Sequence, residues 1–302
     1  MSEQYKKNII ITGATGMIGS AIIREAIKND YEVTCLVRKG SSRIKNIPES
    51  ANIHIVDCSI TDYSNIELGK NYDIFMHLAW DKTSVDGRDD VDCQLKNIQY
   101  TLDAVWLAKR CGCSVFIGAG SQAEYGIQKV PLTPDLPVNP ESCYGIAKYT
   151  AGKLSAMLCR QLGMRFNWMR ILSVYGLNDG ENTLISYVIR ELKAGRIPEL
   201  TKCEQIWDYL YCDDAGKAFL AVAEKGIDMK VYPLGSGQGR KLSLYLEDIK
   251  NIINSKIELK FGKKDYYPHQ PMYLVADISE LQADTGWKPK ESFIDGIKKI
   301  IG

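Results

Sequence analysis

The chain has 302 residues, a formal net charge of +1 and an apolar fraction of 45%, without a low-complexity tract. That describes one large packed domain or two modest ones. A charge this close to zero, with no basic stripe, gives no electrostatic support to a nucleic-acid partner, and no apolar run approaches the roughly 20 residues that span a bilayer.

In chain order, residues 7–12 (KNIIIT) read as a first strand; the start of the chain lacks the apolar core and small-residue cleavage site of a signal peptide. Residues 17–28 have helical periodicity. Strand signals follow at 32–37 (EVTCLV), 52–56 (NIHIV) and 73–78 (DIFMHL), then a long helix at 91–111. A fifth strand (114–118), a helix (141–162) and a sixth strand (165–172) complete the pattern. Unalternating apolar strands separated by helices predict a doubly wound α/β fold of the Rossmann type, its parallel sheet buried on both faces.

Beyond residue 175 the pattern loosens, with Pro198, Pro233, Pro268 and Pro271 as turn signals and no linker or repeat. The expected division is a dinucleotide-binding domain over 1–175 and a smaller C-terminal α/β substrate-binding region over 176–302, interleaved with the first. Nine scattered cysteines without a CxxC pair read as reduced thiols of a cytoplasmic protein. The three histidines (54, 77 and 269) lie far from Cys111 and Cys113, so no metal site is expected.

Residues 12–19 read TGATGMIG, with Gly13, Gly16 and Gly19 directly after the first strand and at the start of the first helix. Gly13 permits the tight turn, Gly16 lets the backbone approach a pyrophosphate and Gly19 lets helix and strand pack closely. Gly13, Thr15, Gly16, Met17, Ile18 and Gly19 would surround phosphates at the positive end of that helix. The second strand ends at Val37–Arg38, where an NAD site usually carries a carboxylate for the ribose. A guanidinium there binds a 2′-phosphate, so NADP is favoured, with NAD the alternative.

Tyr144 and Lys148 lie one helical turn apart on one face. A fixed cation beside a phenol stabilises the phenolate, so Lys148 is expected to lower the pKa of Tyr144 and let it act as proton donor, and to donate to the nicotinamide ribose, so that Tyr144 and Lys148 also count as cofactor-binding residues. Ser121, ending the fifth strand, would hold the substrate oxygen.

These residues bring a family into view. TGATGMIG, His77-Leu78-Ala79, Ser121 in GSQAEYG, Tyr144-Gly-Ile-Ala-Lys148 and Arg170-Ile-Leu-Ser-Val-Tyr175-Gly176 resemble, in order and spacing, the extended short-chain dehydrogenase/reductases acting on nucleotide sugars. The resemblance extends to WDYLYCDDAGKAF (207–219) and ADISELQADTGWKP (276–289). It implies Ser121, Tyr144 and Lys148 as catalytic residues. It implies Asp57, beside Cys58, at the adenine, His77, Leu78 and Ala79 against the cofactor, and Asn97 supporting the site. Trp80, Gln122, Asn178, Thr183 and Trp207 would meet the substrate, with the Tyr266–Tyr267 pair as further candidates. A homodimer built on the 91–111 and 141–162 helices is implied as well.

Two departures bear on the reaction. Where the family's 4,6-dehydratases carry Asp and Glu, this chain has Gln122 and Ala123, which argues against dehydration. Where many members carry an arginine that grips the nucleotide diphosphate, it has Trp207; other cations such as Lys193, Arg196 or Lys202, or backbone amides, would then take that role. GSQAEYG, 183–185 and 204–214 are similar to ketoreductases that make CDP-linked 3,6-dideoxyhexoses. The expected function is therefore NAD(P)H-dependent reduction of a nucleotide-linked 4-keto-6-deoxyhexose, with an NAD-retaining nucleotide-sugar 4-epimerase as the alternative.

Overall fold

Ile9, Ile10 and Ile11 are consecutive and all fully buried, which a strand achieves only when both faces of its sheet are covered. They lie in β1 (Asn8–Thr12) of a computed structural model that describes residues 6–69, 71–83, 87–254, 256–267 and 270–302. Pro268 and His269 lie outside the described residues.

β1 is followed by α1 (Met17–Lys28), β2 (Glu32–Val37), β3 (Ile53–Asp57), β4 (Ile74–His77), α2 (Val91–Arg110), β5 (Val115–Ser121), α3 (Cys143–Leu162) and β6 (Arg165–Ile171). Then come β7 (Ser173–Tyr175), α4 (Leu184–Lys193), β8 (Ile206–Trp207), β9 (Tyr209–Tyr211), α5 (Cys212–Lys225) and β10 (Val231–Leu234). The chain ends with β11 (Arg240–Lys241), α6 (Leu242–Ile253), β12 (Tyr273–Leu274), α7 (Ser279–Thr285) and α8 (Phe293–Ile301). Seven strands form one parallel sheet in the order β10-β6-β5-β4-β1-β2-β3. The order reverses between β1 and β4, the place where such sheets open a crevice at their carboxyl ends.

One face of the sheet is covered by α1 and α5, the other by α2 and α3. On the second face Phe75, Phe116 and Phe166 fall in register on neighbouring strands and stack at 5.7 and 6.4 Å, with Trp168 following at 6.1 Å. Ser142 caps α3 by accepting from the Gly145 amide (3.1 Å), and Gly163 at φ 68° ends it. Asp90 does the same for α2 through the Cys93 amide (3.0 Å).

A third core, including Val188, Leu192, Leu246, Ile249 and Ile297, joins α4, α6 and α8. Small sheets of β11-β8-β12 and β7-β9 lie in this later part of the chain. Pro233 departs from its reading as a turn signal, because it lies within β10. β10 is an edge strand, paired only with β6, and an edge tolerates the missing amide.

Candidate active site

The glycine turn is backbone packed against backbone. Gly13 has φ 69°, and a Cβ there would come within 2.8 Å of the Ala79 nitrogen, at the end of β4. A Cβ on Gly19 would meet the Gly13 carbonyl oxygen at 2.3 Å. Thr12, which the sequence reading passed over, ties the two strand ends together. Its hydroxyl accepts from the Leu78 and Ala79 amides (both 3.1 Å) and pairs with His77 Nδ1 at 2.9 Å. His77 does not face a ligand: it is buried, Nε2 lies 3.3 Å from the Thr101 hydroxyl, and burial and then the Lys148 charge push its pKa down to about 3.

The turn fits a pyrophosphate. No side chain caps α1 and no acidic residue occupies its first turn, which leaves the first amides of the helix without a side-chain acceptor and its positive dipole end without a neutralising charge. A Cβ at Gly16 would meet one atom, the Gly13 oxygen at 3.3 Å, and otherwise fill open space. The loop after β2 folds back onto the turn, Asn46 Nδ2 donating to the Thr15 carbonyl (2.9 Å). Arg38 and Asp57 are exposed at the ends of β2 and β3, where Val37 and Asp57 are register neighbours. Cys58 is buried beside them, its amide on the Val37 carbonyl (2.8 Å) and its thiol pushed up to about 12 by burial and then Asp62.

Ser121, Tyr144 and Lys148 do converge. Tyr144 and Lys148 stand one turn apart on α3, which packs against β5 and the turn after it, and Ser121 ends β5 with its hydroxyl oxygen accepting from the Ala123 amide (3.2 Å). The expected tuning differs, however. The Tyr144 pKa is raised, chiefly by burial; the Ser121 hydrogen bond and the Arg88 charge pull it down and Glu124 pushes it up. Lys148 is buried too, and burial lowers its pKa to about 7 against the pull of Glu124. Its ammonium donates to the Ala119 carbonyl (2.7 Å) and lies 3.7 Å over the Trp80 ring. Lys148 is thus engaged elsewhere and is not among the groups that pull the Tyr144 pKa down.

The other candidates divide. Trp80 is wedged beside the triad, edge-on to Tyr144 at 6.0 Å, its indole N–H held by Gln94 (2.9 Å). Asn97 fixes the loop after β4 by bonding both the amide (2.9 Å) and the carbonyl (3.0 Å) of Asp81. Gln122 is partly exposed next to Ser121. Asn178 departs from its expected substrate role: it sits in a positive-φ turn (67°) and donates to Ser20 of α1 (3.1 Å).

A cavity of about 670 Å³ opens between β7, α4 and the 199–207 stretch, lined by Arg88, Ser173, Thr183 and Trp207 among others, a size suited to a small-molecule substrate. Trp207 donates to the Ser173 hydroxyl (2.7 Å), and Thr183 caps α4 while donating to Asp179 (2.9 Å). The cations on its wall are Arg88, Arg190 and Lys264. Lys193 instead donates to the Ile301 carbonyl (3.1 Å), Arg196 pairs with Glu191 (2.6 Å), and exposed Lys202 is not on the wall. Tyr267 reaches the rim, whereas the Tyr266 hydroxyl accepts from the Glu204 amide (3.1 Å).

The sequence reading also passed over Glu124. It is 1% exposed, accepting from the Ser121 amide (2.8 Å), Trp168 Nε1 (2.9 Å) and Arg170 Nε (2.8 Å). Arg170 in turn covers the Tyr125 ring at 4.5 Å. A Glu flanked by Ser121 and Tyr125 inside an apolar strand end was the available signal. Asp208 and Asp214, in the 207–219 block, are likewise fully buried and structural. Asp208 gathers the amides of Ser236 (2.7 Å), Gly237 (3.0 Å) and Ala276 (3.1 Å), and Asp214 those of Lys290 and Glu291 (both 2.7 Å).

A glycine turn at an uncapped helix start, beside a buried Ser–Tyr–Lys set at the carboxyl ends of parallel strands, defines a dinucleotide-dependent oxidoreductase. The chain belongs to the NAD dependent epimerase/dehydratase family, which matches residues 9–235, and is an NAD(P)-dependent enzyme of the extended short-chain dehydrogenase/reductase type. It is 25% identical to a putative UDP-glucose 4-epimerase of Methanocaldococcus jannaschii, over 97% of each chain. It is 24% identical to the dTDP-4-dehydro-6-deoxyglucose reductase of Escherichia coli, over 99% of this chain and 98% of that one. A UDP-N-acetylglucosamine 4-epimerase of Methanobrevibacter ruminantium, solved with UDP-N-acetylmuramic acid, superposes with a TM-score of 0.88 at 25% identity, covering 99% of both chains.

Proposed function

We propose that the protein reduces the keto group of a nucleotide-linked 4-keto-6-deoxyhexose. The observation that carries this reading is the buried Ser121–Tyr144–Lys148 set, linked to the cavity by Arg88, which lines it and lies 5.2 Å from the Tyr144 ring, with Gln122 and Ala123 where a dehydrating enzyme needs carboxylates. Bound NAD(P)H supplies hydride. Tyr144 gives its hydroxyl proton to the substrate oxygen, Ser121 holds that oxygen by a hydrogen bond, and Lys148 keeps the floor of the site in place through Ala119. Residues 1–175 would hold the cofactor and 176–302 most of the substrate. Exposed Arg38, with no acid beside it in sequence before Glu49, supports NADP over NAD.

The test is oxidation of NADPH and NADH against CDP-, dTDP-, GDP- and UDP-4-keto-6-deoxyhexoses. Turnover with one of them that Tyr144→Phe abolishes is expected; wild-type turnover by that variant sinks the mechanism. A second reading, an NAD-retaining 4-epimerase, is supported by the likeness to the two 4-epimerase relatives at 25% identity. Denaturing the purified protein separates the two: stoichiometric NAD released would favour the epimerase.

A homodimer through α2 and α3 fits their surfaces, where Val91, Leu95, Ile146, Leu154 and Met157 are exposed. Light scattering would then give twice 33.9 kDa. All nine cysteines are free thiols, which supports a reducing cytoplasmic setting.

A further inference from the structure

Tyr144 faces a second cation. The Arg88 guanidinium lies 5.2 Å from the centre of its ring, within range of cation–π and charge–charge stabilisation. The loop bearing Arg88 is clamped to the helix bearing Tyr144. The Tyr144 amide donates to the Arg88 carbonyl (2.8 Å) and the Cys143 amide to the Asp89 carboxylate (3.1 Å). Gln94 Nε2 holds the Gly87 carbonyl (2.9 Å), and Arg88 Nε donates to the Thr83 carbonyl (3.1 Å). Lys82 pairs with Asp90 and Arg170 with Glu124, but among the described residues Arg88 takes part in no ion pair. Its charge is therefore directed at the phenol and at the cavity it lines.

The other groups around Tyr144 leave this role open. Glu124, from the turn after β5, is opposed by Arg170. Lys148, on α3, is engaged by the Ala119 carbonyl and Trp80. Asp89 is occupied at the start of α3, and His77 is held between Thr12 and Thr101.

We propose that Arg88 governs proton transfer at Tyr144, its guanidinium offsetting the negative charge left on the phenol when the hydroxyl proton departs. As the carbonyl carbon gains hydride, the substrate oxygen takes the Tyr144 proton, and the phenolate persists until solvent returns one. Arg88 acts through Tyr144 and is a positioning residue in that sense. The inference rests on Tyr144 being the proton donor of the proposed reaction.

The test is the titration of Tyr144 itself, followed by the Cζ resonance of 13C-tyrosine-labelled protein and assigned by its loss in Tyr144→Phe. Arg88→Met is expected to raise the midpoint by about one pH unit, a roughly tenfold loss of phenolate at a given pH below it. Arg88→Lys, which keeps the charge, is expected to leave it near the wild-type position. The alkaline limb of kcat should move with the midpoint while KM changes less than about threefold. An unmoved midpoint in Arg88→Met, or a rise in KM alone, overturns the inference. Wild-type turnover by Tyr144→Phe would instead overturn the reading beneath it.

Discussion

The glycine turn and the substrate cavity are built from different materials. At the turn, Gly13, Gly16 and Gly19 work by lacking side chains, and the partners are main-chain atoms of Leu78 and Ala79 or the helix's own amides. At the cavity, Arg88, Ser173, Thr183, Trp207 and Lys264 arrive from five separate stretches of chain, and each matters by what its side chain carries. A backbone site tolerates drift everywhere except at the residues that must be small. A side-chain site is rebuilt whenever one wall residue changes; under the proposed function the first part would bind a shared cofactor and the second would set what is transformed.

The sharpest way to break this contrast is at the seam between the two parts. Lys148→Met should reduce turnover by about 10³-fold or more and yet stabilise the fold by on the order of 1–3 kcal/mol, because a buried ammonium is removed. The sign follows from linkage. With a folded pKa of about 7 against 10.5 unfolded, the unfolded chain holds more protons between those values. Wild-type stability should therefore rise as pH climbs from 7 towards 10.5, and the variant should lose that slope. Urea unfolding across pH reads both; a destabilised variant with the slope intact would refute the assignment.

Glu124→Ala comes next. It leaves the Arg170 guanidinium buried without its partner and should cost about 3–5 kcal/mol in urea unfolding, whereas loss of activity at unchanged stability would mean that Glu124 acts in the chemistry. Arg38→Asp should shift the NADPH/NADH preference in kcat/KM by about tenfold towards NADH; an unchanged ratio would remove Arg38 from the cofactor site. Trp207→Phe should be the mildest, about 1 kcal/mol for the lost bond to Ser173, with KM rising less than about threefold. A much larger KM effect would make Trp207 a substrate platform.

The same contrast explains what could be read in the sequence. The strand–helix order through residue 172 follows from apolar runs and periodicity, and the glycine turn from spacing, because both are local patterns. Asn178 and Lys193 were misplaced because polarity and loop position carry no direction: one faces Ser20 and the other the Ile301 carbonyl. The pKa of Tyr144 was expected to fall because a helical turn brings Lys148 near, but spacing says nothing of burial, and burial dominates both groups. Glu124 and Arg88 escaped notice because their partners, Trp168, Arg170 and Tyr144, lie 44 to 56 residues away in sequence.

One feature of the sheet governs the order in which the protein can assemble. α1 (Met17–Lys28) is made well before the helix that covers it, α5 (Cys212–Lys225), and the edge strand β10 follows at Val231–Leu234. Emerging from the ribosome, the chain carries an apolar helix face and an open strand edge on β6 until α5 and β10 have been synthesised. The early half is then a ready substrate for chaperones. Truncations that stop short of β10 should yield aggregates rather than a free-standing nucleotide-binding module.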